Sequence, residues 1–365
     1  VIEHDVALSI HCFYASELDA GRRACERLLA RPLEQETERM VRRNRLFYTQ
    51  TLDELVACRF VRIDVEPAND GWSLFNPTLA VHEGELVGIV RSSNYRIEAG
   101  RYLIYDEDDQ HIRTENLLVR FRPDLTIASC RKIADPDYPH TGYPVTGLED
   151  CRLRPVPGGL GVSATVRDVA PFDGRCRIGT ANLDLDEARF TDLRVLSGLD
   201  VQEHEKNWMP FMGERGGWLY AAWASGHVVT VDPSPTLPGG YQIAQRAASP
   251  MIASEFRGGS QLIPFAGGWL GLVHEVAVLD NQRVYEHRWV WLDDGLRLAK
   301  VSPWFAFREP RAIEFAAGLA QVGDRLVASF GVWDAEAWVV ELPAAEIEGL
   351  LHDVAVSGQG LAGAG

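Results

Sequence analysis

Residues 269–292 read WLGLVHEVAVLDNQRVYEHRWVWL. Two runs rich in aromatic and β-branched side chains, 269–274 and 285–292, flank a polar turn, which is the signature of paired antiparallel strands. The same unit recurs along the chain: 85–91 with 102–105, 159–166 with 176–183, 217–224 with 227–231, and 325–330 with 336–342. Five such pairs at even spacing predict an all-β fold, a five-bladed β-propeller, because radial repetition shields the sheet edges that an open sheet leaves bare. A large β-sandwich is the alternative.

Residues 1–57 have a different texture, with Ala, Leu, Arg and Glu at helical spacing. Ser16-Glu17-Leu18-Asp19 is expected to open a helix with a hydroxyl cap and early acids. Leu28 and Leu29 mark its apolar side and Pro32 its end; a second helix is expected over 33–48. Two helices joined by a short turn resemble one tetratricopeptide-like hairpin, and a solitary pair leaves an apolar face bare unless it docks on a neighbour. Such a pair either packs on the propeller or continues further helical repeats of a longer chain, an option that Val1 in place of methionine leaves open. The expected organisation is a helical segment at 1–57, the propeller at 58–350 and a tail at 351–365.

Of the 365 residues, 46% are apolar and 24% charged, enough for a sizeable core. A formal net charge of −16 argues against nucleic acid as a partner, since phosphate-backbone binding needs a clustered positive face. A local basic pocket is compatible with it. Cys12, Cys25, Cys58, Cys130, Cys151 and Cys176 form no C-x-x-C pair, so a reduced, cytoplasmic setting is expected. No apolar run reaches the ~20 residues of a membrane span.

Chemistry-bearing residues cluster where the strand pairs begin. Gly147-Leu148-Glu149-Asp150-Cys151-Arg152 sets two acids beside an arginine, at the position of a propeller's channel mouth. An arginine lowers a carboxyl pKa and a second carboxylate raises it, so one acid is expected to keep its proton for general-acid work. The sequence leaves open which, and strings of this kind also occur as surface ion clusters. Lys206, Asn207 and Trp208 suit a ligand with hydroxyls and a phosphate, although Trp208 and Phe211 equally fit a core. Arg257-Gly258-Gly259 offers a cation and backbone amides to an anion. His274 with Glu275, and Tyr285 with Glu286, follow in the fourth unit, then Glu314 and Asp334 in the fifth. Asp184-Leu185-Asp186 copies a metal-binding D-x-D but falls at a strand end, where acidic turns are ordinary; no metal is expected. Glu107-Asp108-Asp109 reads as a turn. No G-x-G-x-x-G helix opening, P-loop, G-x-S-x-G or H-E-x-x-H is present.

Taken in order, these clusters resemble the β-mannoside phosphorylases and mannosidases of glycoside hydrolase family 130, which are five-bladed propellers. The similarity covers residues 70–345. Asn76-Pro77 looks like the family's first-blade N-P, Arg91 like its strand-end arginine, and GLEDCRL (147–153) is similar to its G-x-E-D-P-R-x motif. Lys206, His274, Tyr285 and the stretch from Ala317 to Asp334 follow in family order. The resemblance implies an inverting reaction without a metal, in which Asp150 donates a proton toward the glycosidic oxygen through a hydroxyl of the mannosyl unit. It implies phosphate binding by Lys206, His274, Tyr285 and Arg257. Contacts to the sugar would come from Asn76, Arg91, Glu149, Arg152, Asn207, Trp208, Arg257, Glu314 and Asp334. The partner is an oligosaccharide or glycoside, with phosphate or a nucleotide sugar as co-substrate and no other cofactor. Two departures bear on the acceptor side: Cys151 stands where the family has proline, and EFRGGSQ (255–261) replaces its fourth-blade motif. The helical preface looks like repeat segments attached to propellers in some multi-domain bacterial glycosyltransferases. A nucleotide-sugar-dependent transferase is therefore the second reading, and a non-catalytic glycan-binding propeller the third.

Overall fold

The computed structural model describes residues 2–98, 100–105, 110–169, 174–196, 204–211, 217–220, 227–233 and 240–354. Five antiparallel sheets succeed one another along the chain. Blade one comprises Ser73–His82, Glu85–Ser93, Ile112–Phe121 and Ile127–Ile133; blade two, Glu149–Val156, Gly159–Val166, Arg177–Asp184 and Arg189–Val195. Blade three comprises Met209–Phe211, Gly217–Tyr220, His227–Pro233 and Tyr241–Ala248. Blade four is built on the long hairpin Gly268–Leu279 and Gln282–Leu292, with Arg257–Gly258 and Ile263–Phe265 inside and Leu298–Val301 outside.

Blade five pairs Glu314–Val322, Arg325–Val332 and Glu336–Pro343, and takes its outer strand from Arg59–Arg62, ahead of blade one in sequence. Phe60 opposite Val340 sets that register. The closure covers the edge that strand Glu336–Pro343 would otherwise expose.

Blades stack face on face, so their middle strands are apolar on both sides. The buried residues form one core at each junction: Ala80, Ile89 and Val162 between blades one and two; Ile178, Trp208 and Val229 between two and three; Met209, Phe211 and Val273 between three and four; Leu272, Trp289 and Phe330 between four and five; Leu79, Val90 and Val327 between five and one. Five junction cores for five blades is a closed ring. Burying each large apolar side chain stabilises by about 1.5–3 kcal/mol, and Phe307 stacks on Phe330 with centroids 4.1 Å apart.

The N-terminal segment holds three helices, α1 (Ile2–Tyr14), α2 (Leu18–Leu29) and α3 (Gln35–Arg45), with a single turn α4 (Leu52–Leu55) after them. α1 was not foreseen. Ser16 is not a cap: at φ 60° it makes the turn out of α1, and Glu17 takes the cap position without a side-chain bond. Cys12, Cys25, Leu28, Val41 and Tyr48 close over Trp304 of the propeller, so the helices dock on blade four. A Cβ at Gly21 would lie 2.3 Å from the Tyr48 ring, which explains the glycine. Helix α5 (Ala344–Leu350) follows blade five, and His352–Asp353 pairs with Leu298–Val301. No helix among the described residues is long and apolar enough to cross a membrane.

Four of the five expected strand pairs form, the third as far as residue 220, since 221–226 lie outside the described residues. The first does not. Strand Glu85–Ser93 pairs with Ser73–His82 and Ile112–Phe121, whereas Arg101–Ile104 folds back on Tyr95–Glu98 as a separate hairpin. Asn94 redirects the chain there, donating to the His111 carbonyl and accepting from the Arg113 amide. Glu107-Asp108-Asp109 and residues 355–365 lie outside the described residues.

Candidate active site

Inner strands carry the site because they are bulged at one level. In blade one the register slips between Phe75 and Thr78, and in blade two between Glu149 and Arg152. Asn76 (φ 45°) and Asp150 (φ 51°) occupy these bulges in the left-handed region, which Asn and Asp tolerate better than other side-chain-bearing residues. A bulge re-aims the side chain it carries. Asn207, Trp333 and Asp334 also have positive φ at the cavity wall, at 60°, 55° and 49°.

The resulting cavity of about 310 Å³ is lined from all five blades or the segments leading into them. On one side Asp150 Oδ1 accepts from Asn76 Nδ2 at 2.8 Å and from Arg91 Nη1 at 2.9 Å. Arg91, itself buried, also lies 3.6 Å from Glu149 and donates to Thr114. Burial opposes ionisation of Asp150, but Arg91, the Asn76 hydrogen bond and Arg152 outweigh it and hold its pKa below the ordinary value. Glu149 goes the other way: burial, helped by the Asp150 charge, raises it against the pull of Arg91. Burial and the Asp150 charge likewise push Asp334 up to about 6, while Tyr95 donates to its carboxylate at 2.9 Å. The two neighbouring acids are thus pushed apart, Glu149 upward and Asp150 downward, which leaves Asp150 ionised.

The cavity wall also carries cations. Lys206, Arg257 and Arg283 line the cavity and form no ion pair with a described carboxylate. Arg167 joins them, held by its donations to the Gly174 carbonyl and to Tyr143 Oη at 2.7 Å. His274 stacks on Tyr285 at 5.1 Å, and burial, then His287 and Arg257, drive the His274 pKa well below its ordinary value. Its ring is neutral at physiological pH.

Asn76, Arg91, Glu149, Asp150, Lys206, Asn207, Arg257, His274, Tyr285 and Asp334 therefore share one cavity. Three expected contact residues do not reach it. Trp208 is core, its indole N–H spent on Glu205 and its rings packed with Ile178 and Val229. Glu314 is fully buried and accepts the backbone amides of Phe307, Arg308 and Glu309, bracing that loop. Arg152 lies behind the bulge, donating to the Asp150 and Gly259 carbonyls and to Asn207. It holds the wall rather than forming it. The sequence reading missed Tyr95, which falls between the two expected strands, Tyr102, because 102–105 was read as a blade strand, and Arg167 and Arg283, which carry no motif.

Asp184 accepts the backbone amides of Asp186 and Glu187, an ordinary acidic turn. Among the described residues no group of three His, Cys, Asp or Glu is placed to hold a metal ion.

No family model and no curated protein matches the sequence. Solved structures do. A glycosyl hydrolase from Bacteroides ovatus aligns with a TM-score of 0.54 at 12% identity, over 80% of this chain and 96% of that one. A structure from the GH130 family of mannoside phosphorylases, which contains glycoside hydrolases that target β-1,2-mannosidic linkages in Candida mannan, aligns with a TM-score of 0.52 at 13% identity, over 80% of this chain and 96% of that one. A β-1,2-mannobiose phosphorylase from Listeria innocua aligns at 16% identity over 83% of this chain and 98% of that one, with a TM-score of 0.49. The fold is thus the five-bladed propeller shared with glycoside phosphorylases and hydrolases of this type.

Proposed function

We propose that the protein transfers a hexosyl unit with inversion between a sugar hydroxyl and a phosphate-bearing leaving group, with Asp150 handling the proton. One observation carries the reading: a single cavity holds an ionised carboxylate, fixed by Asn76 and Arg91, together with Lys206, Arg257 and Arg283, none of which forms an ion pair with a described carboxylate. A carboxylate ionised in the free protein is a base. In the synthetic direction the acceptor hydroxyl gives its proton to Asp150, directly or through a hydroxyl of the transferred sugar. The freed oxygen attacks the anomeric carbon, the bond from that carbon to the phosphate oxygen breaks, and the phosphate leaves with the electron pair into the cationic wall. In reverse, phosphate attacks and protonated Asp150 returns the proton to the departing oxygen. Phosphate is its own nucleophile, so this chemistry needs no second carboxylate to activate water, unlike inverting hydrolysis. Tyr95, Tyr102 and Trp333 supply aromatic faces for the sugar rings.

The neighbouring folds bear on the substrate class: their names specify mannoside phosphorolysis and hydrolysis, which makes a mannosyl unit the first candidate. A nucleotide-sugar donor is the second reading, favoured by Arg167 and Arg283, which bring the cations beyond what one phosphate needs. A donor screen separates the two. The purified protein is incubated with mannose 1-phosphate or nucleotide-linked hexoses and a panel of sugar acceptors, and products are read by mass spectrometry. Inorganic phosphate released with a new disaccharide supports the phosphorylase reading, and turnover with nucleotide sugars alone supports the transferase. Glycan binding without turnover of any donor overturns both.

A further inference from the structure

We infer that Arg45, on helix α3 and outside the cavity, is a positioning residue for the cationic wall, acting through the buried pair Glu275 and Glu286. The inference rests on the reading of that wall as an anion subsite. Strands Gly268–Leu279 and Gln282–Leu292 present two faces. On one, His274 and Tyr285 stack and line the cavity. On the other, the next residue of each strand, Glu275 and Glu286, stand directly opposite in the ladder, 4% and 1% exposed. Like charges directly opposite in a sheet repel, and buried charges are tolerated only when paired and hydrogen-bonded.

Arg45 supplies the pairing. Its Nη1 donates to Glu275 and its Nε to Glu286, each at 2.8 Å, and Nη2 also reaches Glu286. Trp304 donates to Glu275 at 2.9 Å, Thr49 to Glu286, and Arg42 meets Glu275 at 3.2 Å. The guanidinium lies 4.3 Å from the Trp304 ring centroid. One planar fork thus ties both strands of the hairpin one residue behind His274 and Tyr285. Lysine offers the charge without the planar fork that meets both carboxylates here.

The test compares Arg45→Lys, Arg45→Met and the neutral set Arg45→Met with Glu275→Gln and Glu286→Gln in the full chain. Two readouts are taken: inorganic pyrophosphate affinity by calorimetry, and the His274 ring resonance in a histidine-labelled sample, assigned with His274→Asn. Arg45→Lys is expected to weaken pyrophosphate by about tenfold or more and to shift the His274 signal. The neutral set is expected to recover both relative to Arg45→Met, because the repulsion that Arg45 relieves is gone. If Arg45→Met does not fold, the neutral set and Arg45→Lys decide. Wild-type affinity and an unmoved His274 signal in Arg45→Lys overturn the inference, as does a neutral set no better than Arg45→Met. If the wild-type protein binds no pyrophosphate, the anion reading of the wall fails, and the His274 signal alone still decides whether Arg45 positions the hairpin.

Discussion

At the scale of single residues, the chemistry turns on three carboxyls with different environments. Asp150 is fixed and ionised, Glu149 is raised, and Asp334 titrates near 6. Raising the pH through about 6 adds the Asp334 negative charge to a cavity that already holds ionised Asp150, so KM for a phosphate-bearing substrate is expected to rise across pH 5–7. Asp334→Asn is expected to flatten that rise, measured by steady-state kinetics. The same residue sets a stability trend. A carboxyl whose folded pKa is raised favours folding below its unfolded pKa near 3.8 and loses that contribution as pH climbs through about 6. Asp334→Asn is therefore expected to flatten the melting temperature between pH 4 and 6.5. Asp150 was legible through the acid pair beside Arg152, and Asn76 through the resemblance of Asn76-Pro77 to the family's first-blade pair; the left-handed backbone that both adopt became visible only in the fold. The places of Trp208, Glu314 and Arg152 were not legible, since the sequence gives a side chain's chemistry but not which side of the bulge it falls on. Trp208→Phe is expected to lower the melting temperature while leaving KM within about twofold, because the indole serves a core hydrogen bond worth about 1 kcal/mol.

At the scale of elements, the hairpin Tyr95–Glu98 with Arg101–Ile104 is the least legible feature and one of the most consequential. Its runs have the composition of blade strands, and only the turn at Asn94 sends them over the cavity rather than into the sheet. Tyr95 delivers its hydroxyl to Asp334 from there. Removing that bond takes away a contact that favours the ionised form, so Tyr95→Phe is expected to move the Asp334 titration further above 6 in the pH profile of KM. The long hairpin of blade four was legible because each arm carries an unbroken set of strand formers and the turn between them is polar. Helix α1 escaped notice because no hydroxyl or acid cap announces it.

At the scale of the whole molecule, five junction cores close a ring, and the strand that completes blade five comes from before blade one. Arg59–Arg62 is too short and too polar to announce itself in sequence, yet without it the edge of Glu336–Pro343 is bare. A chain lacking residues 59–62 is expected to aggregate at concentrations where the full chain runs as a single species on size exclusion. The helices share the Trp304 core and the Arg45 ion cluster with blade four. Helical circular dichroism and tryptophan fluorescence are accordingly expected to report one coincident unfolding transition.

The central claim is that Asp150 handles the proton in a glycosyl transfer run by this cavity. Its most direct test is turnover by Asp150→Asn with whichever donor and acceptor the wild-type protein uses. Asparagine keeps the shape but neither accepts nor donates the proton, so kcat is expected to fall by about two to four orders of magnitude with the melting temperature little changed. Full turnover by a folded Asp150→Asn protein would contradict the account.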